Sequence, residues 1–233
     1  MKKLLALLSI IGFISPAVLA QNNINQEITD IKKGDYNILK FDALNLMGIG
    51  VQKLHLGYEI SPMKQNENNL PTIQFNLTVP FNSLNEDLEV NYGIEGGAEL
   101  RFYQYGRNKG QLLPEGFYFG VGLDGGYTNF QLNEEYRLAN GDLINELTPY
   151  ERVRTGIHFM LGGQSKLGEK LYFDVNMGLG WSNINVTASD PEQPNRINQG
   201  VNLNPFLSLY NKGKSQRAYV PLSFGLGYNF GNR

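Results

Sequence analysis

The 233-residue chain has no cysteine, two histidines and one tryptophan. Without cysteine there is no disulfide framework, no thiolate metal site and no lipid-modified cysteine at a processed N-terminus. Beyond residue 20 no segment approaches eighteen consecutive apolar residues, which excludes helical membrane spans. An excess of positive charge is also missing. Lys and Arg number 20 against 22 Asp and Glu, a formal net charge of −2. Nucleic acid is therefore not an expected partner. The mean hydropathy of −0.31 resembles that of a soluble protein. It is a poor guide if only every second residue meets lipid, because the mean is then diluted.

The first twenty residues read as a secretory signal. Lys2 and Lys3 supply the positive start, an apolar run extends from Leu4 to Ile14, and Pro16 breaks it. Val18-Leu19-Ala20 offers a small-residue cleavage pattern, so processing is expected between Ala20 and Gln21. Losing the two lysines takes the formal charge from −2 to −4. Residues 21–35 read as a polar lead-in on the periplasmic side, and residues 36–233 as one domain.

Within that domain the apolar period is two. Leu171, Phe173, Val175, Met177, Leu179 and Trp181 alternate with Tyr172, Asp174, Asn176, Gly178, Gly180 and Ser182. The same pattern starts at Phe117 and at Val220, and it recurs around Leu54, Ile73, Ile94 and Val153. This is strand alternation, not a helical stripe. With a less regular first strand over residues 37–47, it gives eight strands, each long enough to cross a bilayer at a tilt. A further extended piece over residues 201–210 makes ten the alternative. Asn140-Gly141 is expected to turn the fifth strand into the sixth as a two-residue type I′ hairpin. That turn lies far beyond the apolar part of the flanking strands, which predicts a polar hairpin projecting from the sheet.

Volume decides which face looks outward. Eight bulky apolar faces do not fit inside an eight-stranded barrel, whose interior only just accommodates its own side chains. The alternate face, rich in Gly, Ser, Asn and charge, does fit. The expected fold is therefore all-β: a closed antiparallel up-and-down transmembrane β-barrel with its apolar side in outer-membrane lipid. Closure also pairs every backbone polar group, as lipid requires. Phe102, Tyr103, Tyr105, Phe117, Tyr118, Phe119, Tyr127, Phe130, Tyr172, Phe173, Trp181 and Tyr219 are expected to form aromatic girdles at the two borders.

The last strand ends Ser223-Phe224-Gly225-Leu226-Gly227-Tyr228-Asn229-Phe230. It resembles the signal by which outer-membrane barrels are recognised for assembly, with Ser223, Gly225, Tyr228 and Phe230 at the matching positions and three further residues after the terminal aromatic. The resemblance implies the barrel-assembly machinery as a partner. Asn37-Ile38-Leu39-Lys40-Phe41, Leu54-His55-Leu56-Gly57-Tyr58-Glu59, Gly116-Phe117-Tyr118-Phe119-Gly120 and Leu179-Gly180-Trp181 resemble strands of the small outer-membrane β-barrel families of Bacteroidetes-type bacteria. The chain also resembles the barrel half of OmpA-type proteins. These likenesses imply the fold far more than an activity, since many members have none assigned.

The inward face is expected to carry Lys40, Asp42, His55, Glu59, Glu95, Glu99, Arg101, Asp124, Arg152, Arg154, His158 and Asp174. Near-balance of acids and bases points to an ion-paired filling rather than a conduit, because buried charges persist only when paired. Of the two histidines, His158 sits mid-strand, and His55 lies near Asp42 and Glu59 with no serine placed beside it by local sequence. A nucleophile and base pair is not evident, so no catalytic residue is assigned. Glu134, Glu135, Asp142 and Glu146 lack EF-hand spacing. The glycines of residues 120–125 lie in strand alternation with no helix following, which excludes a nucleotide loop. No metal or cofactor is expected. The expected role is non-enzymatic, with loops over residues 130–149 and 183–217 free for binding or envelope structure. A small channel is the alternative, and an outer-membrane lipid-modifying enzyme the less favoured one.

Overall fold

The computed structural model describes residues 37–47, 51–60, 71–104, 114–138, 140–189, 196–200 and 210–231. The expected signal segment, the polar lead-in, Tyr105 and residues 201–209 lie outside the described residues. Among the described residues there are ten strands: β1 Asn37–Asp42, β2 Val51–Ile60, β3 Thr72–Ser83, β4 Leu88–Tyr103, β5 Gly116–Leu138, β6 Leu143–Lys166, β7 Leu171–Ala188, β8 Arg196–Gly200, β9 Gly213–Tyr219 and β10 Leu222–Asn229. A short helix α1, Ala43–Met47, follows β1.

The sheet is antiparallel, up-and-down and closed. Its order is β10-β1-β2-β3-β4-β5-β6-β7-β9, and β10 also pairs β7, so the nine strands form a ring. β9 and β10 lie end to end on β7 in one register, with Tyr219 opposite Gly180 and Leu222 opposite Met177. Pro221 separates them because proline cannot donate to a ladder. A circuit of paired residues runs Tyr219, Gly180, His158, Gly122, Glu99, Gln74, Glu59, Ile38 and back to Asn229. One turn around the ring therefore advances ten residues along the last strand, from 219 to 229, which means the strands are strongly tilted.

Both chain ends of the described region, Asn37 and Phe230, lie at one end of the ring, the terminal end. The β1–β2, β3–β4 and β5–β6 connections lie at the other, the far end. β5 and β6 are the longest strands, with 23 and 24 residues, and project past their neighbours at the far end. The exposed edge of β5 there is covered by β8, through pairs such as Tyr136 with Asn198.

Two expectations change in detail, the end of the first strand and the β5–β6 turn. The first strand stops at Asp42 instead of continuing to residue 47, because the Asp42 carboxylate caps α1: its Oδ1 accepts from Leu44 N–H at 2.8 Å. The long connection carries β8 over Arg196–Gly200 and leads into β9 at Gly213, while residues 201–209 of the expected extended piece lie outside the described residues. The β5–β6 turn has three residues, not two. Gly141, at φ 91°, donates its N–H to the Leu138 carbonyl, and Leu138 N–H donates to Asp142, so the turn closes with a left-handed glycine in place of type I′. The β2–β3 register shifts between Gln52 and Lys53, with Phe81 of β3 left unpaired, and the β4–β5 register shifts between Val90 and Tyr92, which reverses the phase of β4 so that Val90 is buried and Tyr92 exposed.

Candidate functional site

The interior of the ring gathers the polar chemistry. All twelve charged or histidine residues assigned to the inward face do turn inward. Ten of them are buried or nearly so, with Arg101 at 1% exposure and Glu59 at 1%. Outside, on the alternate phase, stand Leu39, Tyr58, Phe75, Leu100, Phe119, Leu123, Phe159, Leu161, Leu179, Trp181, Leu226 and others, all exposed.

Nearest the terminal end, β1, β2, β4 and β7 bring Lys40, Glu59, Arg101 and Asp174 together. Lys40 Nζ lies 2.5 Å from both Glu59 and Asp174, and it also donates to Gln164. Arg101 Nη1 lies 2.6 Å from Asp174, and its Nε 2.7 Å from Glu99. Tyr103 donates to Glu59 at 2.8 Å, Thr72 to Glu59 at 2.5 Å and Tyr118 to Asp174 at 2.8 Å. Arg101 also stacks 4.4 Å above the Tyr118 ring. Sharing each acid among several donors is what a buried charge requires to persist.

A second layer lies toward the middle. Arg154 Nη2 lies 2.7 Å from Asp124, and Arg152 bonds Glu95, with Lys53 3.4 Å from the same acid. His158 bridges the layers: Nδ1 is 3.0 Å from Asp124 and Nε2 3.4 Å from Glu99. Tyr219 donates to Asp124 at 2.5 Å. Large inward side chains lie over glycines of the adjacent strand. A Cβ at Gly122 would overlap the His158 ring, and one at Gly180 would overlap Tyr219. Large and small residues thus alternate across the wall.

Toward the far end the inward chemistry changes. Val51, Leu88, Val90, Phe130, Leu132, Tyr150, Ile184, Val186 and Tyr210 form an apolar cluster. Phe130 stacks on Tyr150 with centroids 5.7 Å apart and meets Tyr210 edge-on at 5.1 Å. Arg152, 4.3 Å from the Tyr210 ring, joins the two regions. Sequence reasoning missed this layer. It also placed too many aromatics in the girdles. Phe102, Phe117, Phe119 and Trp181 are exposed, whereas Tyr103, Tyr118, Tyr172 and Phe130 are buried and Tyr219 binds an interior acid. Strict phase finds Tyr103, Tyr118 and Tyr172, which share the polar face with Arg101, Gly120 and Asp174.

His55 is bound to Thr78 on β3, with Nδ1 2.8 Å from Oγ1. Ser223 of β10 borders the same small cavity as His55 and Asp42, a proximity that local sequence does not reveal. Glu134 of the acidic stretch is buried and accepts from Tyr136 and Tyr150, both at 2.8 Å. No group of three or more His, Cys, Asp or Glu residues suited to a metal ion occurs among the described residues. Glu115, in the connection before β5, has its carboxyl pushed up by burial.

Comparison with known proteins finds no matching family model, no matching curated protein and no matching solved structure.

Proposed function

We propose that this chain is an integral outer-membrane β-barrel protein of eight staves, non-enzymatic, with a side-chain-filled lumen and external loops at the far end. The carrying observation is the polarity of the wall. Acids and bases are buried inside, while leucine, phenylalanine and tyrosine stand exposed outside. An aqueous protein has the reverse arrangement, and a continuous exposed apolar belt is at home in lipid.

Geometry supports the same reading. Taking β9 and β10 as one stave gives eight around the circuit. A stagger of ten residues, with a rise near 3.3 Å and strand spacing near 4.8 Å, corresponds to a tilt of about 40°. The ten-residue step from Leu171 to Trp181 then projects to about 25 Å, the height of a barrel's apolar band. The belt ends where polarity reverses. At the far end the outward positions include Asn129, Glu151, Asn183, Asn185, Lys214 and Gln216, with Phe81, Leu84, Tyr92, Leu143 and Leu147 as exceptions, while the interior becomes apolar. That polarity supports a border near Trp181, with the β5–β6 projection in water.

The lead-in and both chain ends then face the periplasm, after removal of residues 1–20. Ser223, Gly225, Tyr228 and Phe230 are the contact for the barrel-assembly machinery. Two ionic layers of mutually bonded side chains under an apolar one support a structural or binding role over a channel. Heat-modifiable electrophoretic mobility of protein from outer-membrane fractions tests the barrel, with a faster-migrating unboiled form expected. Planar-bilayer recording tests the filled lumen. No conductance steps are expected, and stable single-channel steps would reject it.

A further inference from the structure

The β1 stave is the shortest in the ring, and the wall changes from strand to helix at Asp42. Where the β1–β10 ladder ends, the Asp42 carboxylate takes over. Oδ1 accepts from Leu44 N–H at 2.8 Å and from Phe224 N–H at 3.3 Å, and Oδ2 accepts from Asn45 Nδ2 at 2.6 Å. Beneath this junction lies a cavity of about 10 Å³, bordered by Lys40, Asp42, His55, Gln74, Asp174 and Ser223, with Phe41, Gly57 and Gly225.

Gln74 is 5% exposed. Its Nε2 donates to Asn76 Oδ1 at 2.7 Å, but its Oε1 is buried with no hydrogen-bond partner. Asn176, the register partner of Ser223, likewise has a buried Oδ1 without a partner. An unbonded acceptor in such a place costs about 1–3 kcal/mol. The lining decides what would relieve it. A cation meets the Lys40 ammonium, which is already held 2.5 Å from Asp174. An anion meets the Asp42 and Asp174 carboxylates. A neutral group that both donates and accepts meets neither objection, and the space admits about one such molecule of water size.

We propose that this cavity is the site of one structural water molecule, which donates to Gln74 Oε1 and to a lining carboxylate and accepts from the Ser223 hydroxyl. The water completes hydrogen bonding at the place where the wall passes from strand to helix. The site rests on side-chain geometry, so it stands or falls independently of the membrane reading.

A crystal structure of the refolded full-length mature protein, at a resolution that shows ordered water, tests it. The expected result is one peak within about 2.6–3.2 Å of both Gln74 Oε1 and Ser223 Oγ. Gln74→Leu is expected to lose that peak while keeping the fold. If Gln74→Leu does not fold, Ser223→Ala serves, with the peak expected to shift or vanish. An empty wild-type cavity beside other visible buried waters would overturn the proposal. So would an anomalous signal in the cavity after exchange into rubidium chloride, which would identify a cation.

Discussion

Two parts of the interior occupy equivalent inward positions yet have opposite chemistry. Around Arg101 and Asp174 the inward face is ionic and the outward face apolar; around Phe130 and Tyr150 the inward face is apolar and the outward face largely polar. The same strands carry both. β5 has Asp124 and Phe130 on one inward phase, and β6 has His158 and Tyr150. On the proposed membrane reading, what differs is the medium outside. A wall that satisfies its exterior with apolar groups is left with a narrow tube, to be filled by polar side chains bonding one another. A wall facing water is stabilised by apolar burial within. The two parts meet at Arg152 and Tyr210, where the proposed membrane reading expects one solvent to give way to the other.

Substitutions in the two parts should separate these regimes. The largest effect is expected at Arg101→Ala, which strands Glu99 without its main counter-charge and leaves Asp174 with Lys40 alone. Loss of one partner from a buried ion network costs about 3–5 kcal/mol, read as a shift of the urea unfolding midpoint in lipid vesicles. Phe130→Ala should cost about 3 kcal/mol by leaving a cavity in the far-end cluster. If that cluster is a true core, the loss persists in detergent as well as in lipid. On the outer wall, Leu179→Arg should cost about 2–4 kcal/mol in lipid, against about 0–1 for Gln216→Arg beyond the border. Equal costs at the two sites would erase the proposed boundary.

The smallest effect concerns Glu115, whose burial raises its carboxyl above the ordinary value of 4.5. The folded state therefore binds that proton more tightly than the unfolded chain does. Its contribution is most favourable below pH 4.5 and is lost as pH rises through the folded value. Glu115→Gln should thus be slightly more stable than wild type at pH 7, with the difference shrinking or reversing below 4.5.

Much of this was legible in the sequence because period two survives wherever strands run undisturbed. The phases of β5, β6, β7 and β10 and the inward charged residues follow from alternation alone. Three things did not follow. A strand end created by capping depends on Asp42 reaching the helix backbone, and Asp42 itself sits in phase with Lys40. The register shifts at Gln52 and Val90 are set by pairing with β3 and β5, which local sequence does not specify. The apolar far-end layer assembles residues from five strands and Tyr210, so no single segment announces it. The Gln74 cavity likewise exists only once β1, β2, β3, β7 and β10 close on one another.

The chain's single tryptophan offers the most direct measurement. Trp181 is half exposed on the outward face at the edge of the apolar belt, one residue from the buried Ser182. In vesicles of lipids brominated along the acyl chain, its fluorescence should be blue-shifted and strongly quenched, while aqueous iodide should quench it weakly. Emission characteristic of water, quenched by iodide and indifferent to brominated lipid, would contradict the account.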